Sequence, residues 1–123
     1  MEIRRLILLL LVFCNVSWAH NLDEMSEVER YKAYALSMCL SNFYQKGELY
    51  SDAIKAMQGY REYSNLPLEA FHELIPLLEG ADLRLYSSKK GGKVEIAYCI
   101  DFAQSSKLLS IFNIHSGDNE SKP

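Results

Sequence analysis

From Val28 onward, apolar residues recur every three or four positions along most of the chain, a spacing that predicts helices. Val28, Tyr31, Ala35 and Met38 mark a first helix from about Glu27 to Gln45, with a capping-box pair, Ser26 and Glu29, at its start and Gly47 and Glu48 at its exit. Ser51 or Asp52 opens a second, whose stripe is Ala53, Ile54, Met57 and Tyr60, interrupted by Gly59. A third begins at Pro67, in a first turn where a missing N–H is harmless, and places Leu68, Phe71, Ile75 and Leu78 on its buried face. Pro76 falls inside that pattern and predicts a kink or a split.

The pattern breaks at SSKKGGK, Ser87 to Lys93, which is polar, basic and glycine-paired and reads as a loop. The next run, KVEIAYCI, alternates well enough for a strand, with Gly91 and Gly92 as a hairpin turn. Against that, Ile96, Cys99, Ile100 and Ala103 fall at helical spacing and no convincing partner strand precedes the glycines, so we read a helix from about Gly92 to Gln104. Ser105 caps a last helix carrying Leu108, Ile111 and Phe112, and residues 116–123 read as a disordered tail. The expected fold is all-α: one small bundle of about four to five helices spanning residues 20–115.

The first twenty positions belong to a different pattern. Arg4 and Arg5 precede an apolar run from Leu6 to Cys14, and Ser17 and Ala19 place small residues where a signal peptidase reads them. The run is far shorter than the roughly 20 residues that span a bilayer, so residues 1–19 read as a signal peptide cleaved after Ala19. The mature chain is then expected in the periplasm, with no membrane attachment. Cleavage leaves 104 of the 123 residues and moves the formal net charge from −3 to about −4, with no basic field for nucleic acid. It also removes Cys14. Cys39 and Cys99 remain, an even pair in an oxidising compartment, each on an apolar stripe, and a disulfide between them closes a loop of about 60 residues.

Catalytic chemistry finds little to work with. A Cys-His hydrolase would need a histidine near Cys39, but His20 is the expected new N-terminus, His115 lies near the frayed end, and only His72 is fixed. Cys39 also sits between Met38 and Leu40, where desolvation raises a thiol's pKa and makes it inert. Glu69, His72 and Glu73 share one helix side, but a di-iron bundle needs a second such set, and the metalloprotease helix would need a histidine where Pro76 stands. They read as a solvated face that could serve as a docking surface. SSKKGGK lacks the preceding strand and the glycine spacing of a phosphate loop. We therefore expect no catalytic residue, no metal and no cofactor.

Several segments in order resemble a known family: YALSMC at Tyr34 to Cys39, Gly59-Tyr60, PLEAF at Pro67 to Phe71, YSSKKGGK at Tyr86 to Lys93, and CIDFAQS at Cys99 to Ser105 with Leu108 following. Over Tyr31 to Leu109 the chain resembles the type VI secretion amidase immunity proteins, periplasmic antidotes to the fourth class of amidase effectors. It departs from them at Pro76, which interrupts a helix continuous in relatives, and at Ala103, where an aromatic is usual. The resemblance implies a helical homodimer that binds a Cys-His peptidoglycan amidase and blocks it sterically, a loop entering the active-site groove while a helix supports docking. The matching parts here are Tyr86, Ser87, Ser88, Lys89, Lys90, Gly91, Gly92 and Lys93 for the loop, and Glu69, His72 and Glu73 for the supporting surface. The competing readings are a general envelope binding module, such as a lysozyme inhibitor, and a small hydrolase using Cys39.

Overall fold

The computed structural model describes Ile3 and residues 21–120. The expected cleavage site and most of the expected signal peptide lie outside the described residues. Among the residues described from 21 onward, six helices follow one another: α1 (Glu27–Phe43), α2 (Gly47–Glu62), α3 (Leu68–His72), α4 (Leu74–Glu79), α5 (Glu95–Ala103) and α6 (Ser106–Glu120). The only β feature among the described residues is an isolated antiparallel bridge between Ser87 and Lys93, so the fold is all-α as the periodicity predicts.

Helix α1 starts where its cap dictates. Glu29 N–H donates to Ser26 Oγ at 3.2 Å, and Ser26 N–H donates to Glu29 Oε2 at 2.9 Å, satisfying two amides that the first turn leaves unpaired. Hydrogen bonds from the Ser26 backbone and then its side chain hold the Glu29 carboxyl below its ordinary range. Arg30 is buried here and satisfied: it pairs with Glu27 and donates through Nε to Leu22 O at 2.9 Å. Glu27 also accepts from Ser64 Oγ at 2.8 Å and from Asn65 N–H at 3.1 Å, fastening the α2–α3 connection to the start of α1.

Helix α1 is the central element and packs most extensively on α2 and next on α5. Tyr31, Ala35 and Cys39 project from it fully buried, joined in the core by Tyr34 and Met38. The Tyr31 ring meets Phe71 edge-on at 5.7 Å and Phe112 at 5.8 Å, while Tyr34 meets Phe71 at 4.7 Å. The buried Tyr31 hydroxyl donates to Ala70 O at 2.6 Å, so its burial leaves no orphaned polar atom.

Several boundaries and faces differ from the sequence expectation, whereas Pro76 splits the third helix as expected. Helix α2 starts at Gly47 rather than near Ser51 or Asp52, because Gly47 takes a left-handed φ of 85° and turns the chain straight from α1 into the next helix. The third predicted helix is split. Proline at 76 has no N–H for the carbonyl of His72 and its ring crowds that carbonyl, so the helix breaks at Glu73, and Pro76 falls in the first turn of α4, where no donor is needed. The buried residues of this pair are Ala70, Phe71, Leu74 and Leu78, whereas Leu68 and Ile75, expected inside, are 49% and 47% exposed. In α5 the buried residues are Cys99, Phe102 and Ala103, and Ile96 and Ile100 face out. Helix α6 begins with Ser105 Oγ accepting from Leu108 N–H at 3.2 Å, as expected, and spans Ser106–Glu120.

Candidate functional site

Cys39 and Cys99 form a disulfide with Cα atoms 5.4 Å apart, joining α1 to α5, and neither residue is exposed to solvent. Both sulfurs are oxidised, so Cys39 has no thiolate to offer as a nucleophile. Among the described residues, no group of three or more His, Cys, Asp or Glu could hold a metal ion. Nor, among the described residues, is any helix long and apolar enough to cross a membrane.

The loop predicted from SSKKGGK protrudes between α4 and α5 and is closed by its own backbone. Ser87 and Lys93 pair across its neck, Val94 N–H donates to Tyr86 O at 2.7 Å, and Ser88 N–H donates to Gly92 O at 2.9 Å. At the tip, Gly91 N–H donates to Ser88 O at 3.0 Å and Lys90 N–H donates to Ser88 Oγ at 3.2 Å. Gly91 and Gly92 both adopt left-handed backbone, with φ of 98° and 80°, a pairing that any residue with a Cβ would resist. The hairpin and helix readings of this region are thus each right in part: the glycines make a pinched turn, and the helix starts only at Glu95.

Lys89 and Lys90 stand exposed on the tip, and Lys93 reaches back to donate from Nζ to Ser87 Oγ at 3.1 Å. Just ahead of the neck lies a second turn, Leu83 to Tyr86, closed by Tyr86 N–H donating to Leu83 O at 3.0 Å. On it Arg84 grips Asp82, donating from Nε at 2.9 Å and from Nη2 at 2.6 Å. This side-chain bonding lowers the Asp82 carboxyl pKa and raises that of the Arg84 guanidinium.

Tyr86 fastens the loop to the body of the protein. Its hydroxyl donates to Asp101 Oδ2 at 2.8 Å, which raises its pKa above the usual phenol value, and its ring stands edge-on to Tyr98 at 5.3 Å. Tyr98 in turn packs on Phe43 of α1 at 5.9 Å and on Phe102 at 6.1 Å, and burial raises its own pKa. Tyr98, Cys99 and Asp101 are near neighbours on α5, so the helix that holds the loop is the one the disulfide ties to α1. The site reading from sequence did not include Asp101 or Tyr98. Asp101 lies in the CIDFAQS segment, but a tyrosine and a carboxylate in the helix after a loop are too common to single out as its anchor.

The second predicted surface is only partly assembled. Glu69, His72 and Glu73 are all exposed, but Glu73 turns to α6, where its Oε1 lies 2.8 Å from His115 Nε2. His115 is therefore a packed helical residue rather than part of a frayed end. Leu68, beside Glu69 and four residues from His72, lends apolar area to this side of the molecule, whereas Ile75 lines a groove with Met38, Tyr50 and Ile54.

Comparison with known proteins follows the same lines. A family model described as Tai4, type VI secretion system (T6SS) amidase immunity protein, matches residues 29–112. No curated protein matches the sequence. Among solved structures, the chain is similar to one in the complex of the Salmonella typhimurium effector Tae4 with the immunity protein Tai4 from Enterobacter cloacae, at 18% identity, with 77% of this chain and 98% of that one covered and a TM-score of 0.67. The Enterobacter cloacae Tae4-Tai4 effector-immunity complex matches at 19% identity, with 77% and 97% covered and a TM-score of 0.68. The Tae4/Tai4 system of Salmonella typhimurium, as its selenomethionine variant, matches at 25% identity, with 77% and 95% covered and a TM-score of 0.66. Those likenesses support the helical architecture, and the match across residues 29–112 establishes that the chain belongs to the Tai4 family of type VI secretion system amidase immunity proteins.

Proposed function

We propose that this protein acts in the periplasm as an immunity protein, binding a Tae4-type peptidoglycan amidase and blocking its active site with the loop at residues 86–93. The carrying observation is that this loop is both protruding and fixed: closed across its neck, turned by two left-handed glycines and anchored through Tyr86 to α5. A loop already in one conformation loses little entropy on binding. Lys89 and Lys90 at its tip bring positive charge to a partner's carboxylates and carbonyls.

Steric occlusion of this kind needs no chemistry from the inhibitor, and the Cys-His pair belongs to the amidase. The signal-like pattern over residues 1–19 and the Cys39–Cys99 disulfide both support an oxidising compartment. We also propose a homodimer in which the side carrying Glu69, His72 and Glu73, with exposed Leu68 beside them, supports docking. Light scattering of the purified protein checks the dimer.

The loop assignment is tested by titrating a panel of Tae4 amidases, with lysozyme as the competing partner, against the wild type and the triple variant Lys89→Asp, Lys90→Asp, Lys93→Asp. Wild-type binding to an amidase and a loss of at least about 100-fold in the variant are expected, as for reversing charges at an interface. Unchanged affinity would overturn the loop assignment, and binding to lysozyme alone would overturn the amidase as partner.

A further inference from the structure

We propose that the amidase also grips apolar anchors framing the basic loop, Leu85 at its entry and Ile96 with Ile100 at its exit. This inference rests on the proposed function and extends its binding surface. An eight-residue loop is too small by itself, since a standard interface draws on about 20–30 residues a side. The surface has to continue somewhere, and the structure shows apolar side chains at both of the loop's roots.

Leu85 is 91% exposed, the most exposed large apolar residue among those described. A single exposed leucine means little on a protein surface. This one occupies a fixed position. It lies in the turn closed by Tyr86 N–H on Leu83 O, between Arg84, gripped by Asp82, and Tyr86, held by Asp101. With both neighbours tied, its backbone is presented to solvent in one arrangement, as a binding anchor requires.

At the other root, Val94 is 38% exposed and its N–H closes the loop on Tyr86 O. Ile96 and Ile100 follow at 47% and 52% exposed, four residues apart and so on one side of α5. That helix buries Cys99, Phe102 and Ala103 instead, which leaves the two isoleucines without a role in the core. The partner that fits this surface has an apolar rim flanking an acidic or carbonyl-lined groove. The basic tip enters the groove, and the leucine and isoleucines seat on the rim.

The experiment takes the amidase from the panel that the wild type binds most tightly and measures its affinity by calorimetry for Leu85→Ser, for Ile96→Ser with Ile100→Ser, and for Leu85→Met. All three proteins are first checked by thermal melting and light scattering. Because these positions are exposed, melting temperature and oligomeric state are expected to stay at the wild-type values. Each serine variant is expected to bind on the order of 30-fold more weakly, with the loss independent of salt, and Leu85→Met to bind almost normally. Wild-type affinity in both serine variants would overturn the inference while leaving the loop assignment intact. A changed oligomeric state with the amidase affinity per subunit preserved would also overturn it, by assigning these side chains to contacts between copies of the chain. If the wild type binds no amidase, the functional reading and this extension of it fall together.

Discussion

Around Cys39 the chain is held by what it buries, whereas from Asp82 to Val94 it is held by hydrogen bonds made at its own surface. The first region combines a disulfide, the rings of Tyr31, Tyr34 and Phe71, and a buried hydroxyl bonded to Ala70. The second has no buried side chain of its own and depends on short backbone bonds, two left-handed glycines and the Tyr86 clamp. Surface hydrogen bonds contribute only about 1 kcal/mol each, because water competes for every partner. On the proposed function the contrast separates two tasks: the core sets whether the protein is folded, and the surface bonds set whether the loop is ready to bind. Stability and binding should therefore respond to different substitutions.

The most severe way to break this division is to remove the staple. Replacing both cysteines, Cys39→Ser with Cys99→Ser, releases a constraint spanning 60 positions and is expected to lower stability by about 4 kcal/mol on the chain-entropy model, read from urea denaturation. An intermediate effect is expected from Tyr31→Phe. It keeps the aromatic packing but leaves Ala70 O without its donor, lowering stability by about 2 kcal/mol in the same assay.

The smallest stability effect makes the sharpest test. Tyr86→Phe keeps the ring on Tyr98 and removes only the bond to Asp101, so denaturation should shift by no more than about 1 kcal/mol. Amidase affinity should nonetheless fall several-fold, because the loop would then be ordered only on binding. An affinity as robust as the stability would mean that the clamp does not set the loop's readiness.

What could be read from the sequence follows the same division. Ser26 and Glu29 identified the start of α1 because a capping box is a local interaction, complete within four residues. The disulfide was legible from parity once Cys14 was assigned to the signal peptide, together with matching apolar stripes. Pro76 announced a disturbance because its ring acts on the turn immediately before it.

Leu68, Ile75, Ile96 and Ile100 were misplaced for the opposite reason. Helices as short as α3, α4 and α5 carry apolar residues on two sides, and only the neighbours they pack against decide which side is buried. The clamp was illegible for a similar reason, since Tyr86 and Asp101 lie fifteen positions apart and meet only once the loop is closed. Within the candidate site, composition was enough to locate the loop, but its attachment to the body depends on tertiary structure.

The Cys39–Cys99 bond has one more consequence, which concerns proteases. The enclosed segment contains α2, α3, α4 and the whole exposed loop with its lysines. A protease that cuts once at Lys89 or Lys90 would open the backbone without producing two molecules. Both fragments would stay joined through α1 and α5, packed on the same core, so this exposed loop is a place where a cut cannot release a piece.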